Sequence, residues 1–176
     1  MPVVRVLFIG NSYTEVHDLP AVLARLSESP RSPMRFEVAQ HTPGGRTWEQ
    51  HDADPTVDAL IAQGWDYVVL QDQSQQPWWG PPTDVKPALR SLDATIRAAS
   101  AQTVLFMTWV RAESSLDQEM LVDSYYEQAG EAVGALVAPV GRAWERARRD
   151  PSMTLHAADG SHRGAPKARR AAFGAL

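Results

Sequence analysis

A serine that closes an apolar run near the start of the chain, and an aspartate–histidine pair far downstream, are the groups best placed to do chemistry. Val3-Val4-Arg5-Val6-Leu7-Phe8-Ile9 runs into Gly10-Asn11-Ser12. A hydroxyl nucleophile needs a base to take its proton and donors for the oxyanion that forms. Of the five histidines (His17, His41, His51, His156 and His162), only His162 comes with a carboxylate in a usable setting, Asp159-Gly160-Ser161-His162. That three-residue spacing lets both side chains point the same way on a loop or a first helical turn. Each group also has a plainer role. Serine at a strand-to-helix turn caps the helix, and Asp-Gly makes surface turns.

Donors for an oxyanion are present in two further polar clusters. Gly45, in Pro43-Gly44-Gly45-Arg46-Thr47, offers a backbone N–H with no Cβ in the way. In Gln71-Asp72-Gln73-Ser74-Gln75, Gln73 offers a side-chain amide, and Gln71 and Gln75 share its face if the extended geometry continues. Trp78 and Trp79 follow; such a pair stacks on a sugar face or packs over a core. With Asn11 they are the candidates for a substrate pocket. His51, Asp52 and Asp54 are metal-ligand residue types, but they lie at a helix start without ligand-like spacing. No metal and no other cofactor is expected.

The elements that must carry these groups alternate between strand and helix. The unbroken apolar run over 3–9 has the character of a strand buried on both faces. A helix over 18–26 follows, with Asp18 as its cap and Pro20 in its first turn. The pattern then predicts strands over 34–41, 65–70, 103–109 and, at an edge, 137–140. Helices are predicted over 48–63, 85–100, 116–136 and 143–149, and irregular chain over 150–162. Strands and helices in this rhythm build a parallel sheet with right-handed crossovers. The expected fold is a three-layer α/β/α sandwich on about five parallel strands. The three polar clusters each follow a strand, so they share the carboxyl edge of the sheet, where ligands collect in open α/β folds.

Composition narrows the class. The chain's 176 residues suit one domain, and 44% apolar with 22% charged residues is the balance of a globular protein. A net charge of −4 argues against a nucleic-acid or membrane-surface binder. Cysteine is absent, which removes disulfides and thiol chemistry. No apolar segment is long enough to span a bilayer, and no basic region followed by a long apolar run opens the chain, so a cytoplasmic location is expected.

Taken together, the blocks resemble the SGNH (GDSL-type) serine hydrolases, in a bacterial branch with Gly-Asn-Ser in place of Gly-Asp-Ser. The resemblance covers roughly 3–162 and implies a flavodoxin-like sandwich. Ile9-Gly10-Asn11-Ser12-Tyr13-Thr14 matches the first block, making Ser12 the nucleophile and its N–H an oxyanion donor. Gly44-Gly45-Arg46-Thr47 matches the second, with Gly45 favoured. Asp159-Gly160-Ser161-His162 matches the last, making His162 the base and Asp159 its orienter. The third block departs from the family's Gly-x-Asn. Glutamine in carbohydrate-esterase relatives points to Gln73, and a straight count points to Gln75.

A second departure follows His162, where the family's proline and final apolar helix give way to Arg163-Gly164-Ala165-Pro166-Lys167-Ala168-Arg169-Arg170. The resemblance implies a single domain over 1–162, an altered basic tail over 163–176, and a His162 less firmly held, which would impair activity. It implies an esterase for small-molecule substrates, short-chain acyl or O-acetyl esters, acetylated carbohydrate among them. The alternative is a non-catalytic module of the same fold that binds a small ligand or a carbohydrate.

Overall fold

The computed structural model describes residues 1–30, 32–78 and 87–164. Five strands form one sheet: β1 (Val3–Ile9), β2 (Arg35–His41), β3 (Tyr67–Leu70), β4 (Gln102–Phe106) and β5 (Leu136–Ala138). All pairings are parallel, in the order β2-β1-β3-β4-β5. This is the flavodoxin-like order, and its switch point lies between β1 and β3. Among the described residues, seven helices accompany it: α1 (Ser12–Glu15), α2 (Leu19–Ser27), α3 (Trp48–Asp52), α4 (Pro55–Ile61), α5 (Pro87–Ala98), α6 (Leu116–Val133) and α7 (Val140–Arg148).

Alternation along the strands splits the core in two. Leu7 and Ile9 of β1, Val68 and Leu70 of β3, and Leu105 of β4 face a cluster built from α3, α4, α5 and α6, with Trp48, Ile61, Leu92 and Tyr126 among its buried members. Val6, Phe8, Val69 and Phe106 face the other way, onto Tyr13 of α1, Leu19 and Leu23 of α2 and Trp144 of α7. Successive strand side chains point to opposite faces, so an all-apolar strand serves both layers. The expected sandwich of about five parallel strands is the fold observed. Among the described residues, no helix is long and apolar enough to cross a membrane.

Several boundaries differ from the sequence pattern. The single helix expected over 48–63 is two helices. Asp54 caps α4 by accepting the Thr56 N–H, and Pro55 occupies the first turn, where its missing N–H is harmless. The helix expected to reach 136 ends at Val133, because Gly134 takes a left-handed conformation. Strand β5 begins directly after it, one residue ahead of the expected 137–140. Strand β4 stops at Phe106 rather than 109, and α7 starts at Val140 rather than 143. The helix expected over 85–100 is seen as Pro87–Ala98, its predicted first residues lying outside the described ones.

Candidate active site

The Ser12 turn is fixed from below by Gln71. Its Oε1 accepts the Asn11 N–H at 3.0 Å and the Thr14 hydroxyl at 2.9 Å. Its Nε2 donates to Asn11 Oδ1 at 2.9 Å and to the Asp72 carbonyl. This amide lies so close to the turn that a Cβ at residue 10 would stand 2.7 Å from Gln71 Oε1, which explains glycine there. Asn11 uses its whole side chain. Oδ1 also accepts the Tyr13 N–H at 3.1 Å, capping α1, and Nδ2 donates to the Arg46 carbonyl at 2.9 Å. Asn11 is therefore the cap, and Ser12, the first residue of α1, keeps its hydroxyl for other partners.

Ser12 Oγ lies 2.8 Å from His162 Nε2, and His162 Nδ1 lies 2.6 Å from Asp159 Oδ2. An ionised carboxylate only accepts, so Nδ1 carries the proton and the Nε2 lone pair is left to accept the Ser12 O–H. Asp159 Oδ1 accepts the N–H groups of Ser161 at 2.9 Å and His162 at 3.0 Å. The His162 ring, with these N–H groups, draws the Asp159 carboxyl down to a pKa of about 2.

The loop that carries this pair is held by groups far from it in sequence. An antiparallel bridge joins His156 to Arg163, and Ala157 N–H donates to the His162 carbonyl at 2.8 Å. Trp109 Nε1 donates to the Ser161 carbonyl at 2.8 Å, and the Tyr13 and Ser161 hydroxyls are 2.7 Å apart. Tyr13 stacks on Trp109 at 4.7 Å between centroids, Trp109 stacks on Trp144 at 4.2 Å, and the His162 ring leans against Tyr13 at 5.4 Å. The Arg163 guanidinium donates to the carbonyls of Val16, at 2.8 Å, and His17, at 2.6 Å. These contacts lie within residues up to 164. The remainder of the basic tail lies outside the described residues.

Ser12 and His162 open onto a cleft of about 100 Å³ that Gly45, Gln73, Ser74 and Arg111 also line. Gly45 takes a φ of +72°, which favours glycine, and nothing lies within 4 Å of where its Cβ would be. Gln73 lines the cleft. Gln75 serves it from behind, its N–H donating to Gln73 Oε1 at 2.6 Å. Asp72, wholly buried, accepts the N–H groups of Trp48 at 3.0 Å and Gln73 at 2.9 Å, and so ties the third block to α3.

Other expected residues fall elsewhere. Trp78 sits in a 3-10 turn (Gln76–Trp78) and is not among the cleft's lining residues. Trp79 lies outside the described residues. His51 is buried with Nε2 donating to the Gly10 carbonyl at 2.9 Å, and burial lowers its pKa to about 4. Asp54, the α4 cap, lies 3.3 Å from the His41 ring. Among the described residues, no group of three His, Asp or Glu side chains could hold a metal ion. Sequence reasoning did not single out Arg111, Tyr13, Trp109 or Ser161. Tyr13 and Ser161 lie inside the first and last blocks without an assigned role, Trp109 ends a predicted strand, and Arg111 falls in no block.

The fold is similar to that of several solved esterases. TesA superposes with a TM-score of 0.69 at 16% identity, covering 91% of this chain and 89% of that one. The psychrotrophic esterase EstA from a Pseudoalteromonas species gives 0.62 at 17% identity, over 90% and 87%. AlinE4, an SGNH-hydrolase family esterase, gives 0.61 at 13% identity, over 91% and 89%. No protein-family model matches the sequence, and no curated protein matches it.

Proposed function

We propose that this protein is a serine-dependent ester hydrolase with Ser12 as nucleophile, His162 as general base and Asp159 as its orienter. The observation that carries this is the continuous chain of short contacts, 2.8 Å from Ser12 Oγ to His162 Nε2 and 2.6 Å from His162 Nδ1 to Asp159 Oδ2. As Ser12 Oγ attacks the ester carbonyl, its proton passes to Nε2, and the ionised Asp159 stabilises the imidazolium. The oxyanion is received by the Ser12 and Gly45 N–H groups, neither of which has an acceptor among the described residues, and by the Gln73 amide. His162 then returns the proton to the leaving alkoxide. Water, activated by the same imidazole, breaks the acyl bond to Ser12.

The small cleft supports short acyl groups, acetyl among them, as the part accommodated beside Ser12. An O-acetylated carbohydrate remains within that class, although Trp78 offers it no face in the cleft. The test pairs labelling with turnover. A fluorophosphonate should modify Ser12, and Ser12→Ala or His162→Ala should lower hydrolysis of 4-nitrophenyl acetate by about a thousandfold or more. Unchanged hydrolysis in Ser12→Ala overturns the proposal. Labelling at Ser12 also separates an enzyme from a ligand-binding module of the same fold.

A further inference from the structure

Arg111 is placed differently from the other arginines with side-chain contacts. Arg97 is bonded to Asp93, Arg142 to Asp123 and Glu127, Arg148 to Glu145, and Arg163 to two carbonyls. Arg111 lines the cleft beside Ser12 and His162, and its Nε is buried with no hydrogen-bond partner. Among the described residues it makes no ion pair. A guanidinium offers five donors in a rigid fork, and leaving such a donor buried and unmatched is costly.

The cleft contains nothing to match it. None of its lining residues is acidic. The nearby carboxylates are engaged: Asp159 with His162 and two N–H groups, Asp72 with the Trp48 and Gln73 N–H groups and the Tyr125 hydroxyl. Glu113, two residues along, has its carboxylate over Gly160. On a chain of net charge −4, an unmatched cation at this point selects for a negative partner.

We propose that Arg111 is a specificity residue that binds a carboxylate carried by the ester substrate, within a few bonds of the scissile carbonyl. A carboxylate matches the guanidinium fork with two parallel hydrogen bonds. The cleft of about 100 Å³ leaves room only for a short link between that anion and the reacting carbon. The substrate class is thus a half-ester of a small dicarboxylic acid, or an acyl ester of a small hydroxy acid. This rests on the hydrolase reading above and narrows it.

Two matched pairs of esters locate the anion. On the acyl side, 4-nitrophenyl hemisuccinate is compared with 4-nitrophenyl butyrate. On the alcohol side, acetoxyacetate is compared with its methyl ester. In one pair the anionic member should have a kcat/KM about tenfold higher or more. Arg111→Gln should bring that ratio to one or below, and Arg111→Lys should restore part of it. A ratio at or below one in both pairs overturns the assignment, as does an unchanged ratio in Arg111→Gln. If no ester turns over, binding of succinate and glycolate to Ser12→Ala, followed by calorimetry, decides. Binding lost on adding Arg111→Gln supports the anion site while the hydrolase reading falls. Undetectable binding removes the site. Conversely, Ser12-dependent hydrolysis without preference leaves the hydrolase and removes the anion site.

Discussion

The Tyr125 hydroxyl donates to Asp72 Oδ2 at 2.5 Å, on the side of the carboxylate away from the Gln73 N–H. Burial, reinforced by Asp72, pushes the Tyr125 pKa far upward, so the phenol remains a donor at every working pH. A bond inside the core thereby supports the loop at the sheet edge that presents Gln73.

Replacing that hydroxyl tests the support. Tyr125→Phe leaves a buried carboxylate short of one donor, which should lower unfolding free energy by about 1–3 kcal/mol in urea titrations. Because the Gln73 N–H depends on the same carboxylate, kcat on 4-nitrophenyl acetate should fall more than KM rises. A stability loss with kcat unchanged would show that Asp72 serves the core alone.

The two glutamines of the third block should separate cleanly. Gln73→Ala removes a proposed oxyanion donor and should reduce kcat about a hundredfold. Gln75→Ala keeps the backbone N–H that holds Gln73 Oε1, and its effect should stay within about threefold. The reverse order would move the donor to Gln75.

His51 should make stability depend on pH. Its folded pKa, lowered by burial to about 4, lies below the ordinary 6.5, so the unfolded chain takes up the proton first. The stability associated with neutral His51 is fully present above 6.5 and is lost as pH falls toward 4, by an amount on the order of 3 kcal/mol. Urea titrations at intervals across that window should show this slope, and His51→Gln should flatten it. Equal slopes in the two proteins would assign the pH dependence to other groups.

How much of this was legible in the sequence varies with the kind of signal. The buried strand β1 announced itself through consecutive Val, Leu, Phe and Ile, and the carboxyl-edge clusters followed from the strand–helix rhythm. The Asp159–His162 contact was legible because three-residue spacing is local. The break at Asp54-Pro55 carried a local signal as well, a cap followed by proline, but the apolar spacing of Val57, Leu60 and Ile61 suggested one longer helix. Arg111 and Trp109 gave no such sign. Their importance comes from β4 ending at Phe106, which turns the following residues over the cleft, and no periodicity records that. Asn11 shows a finer limit. Sequence placed it near the pocket. In the structure, its amide donates to Arg46 and accepts from Tyr13 and Gln71, a combination that aspartate could not reproduce.

The clasp of Arg163 on the Val16 and His17 carbonyls joins the first helical turns of the chain to its last described loop. Under the proposed reaction, Ser12 meets its base only once a segment 150 residues downstream has docked onto it. Hydrolysis would then report completed folding, and the nucleophile stays quiet in any partly folded chain.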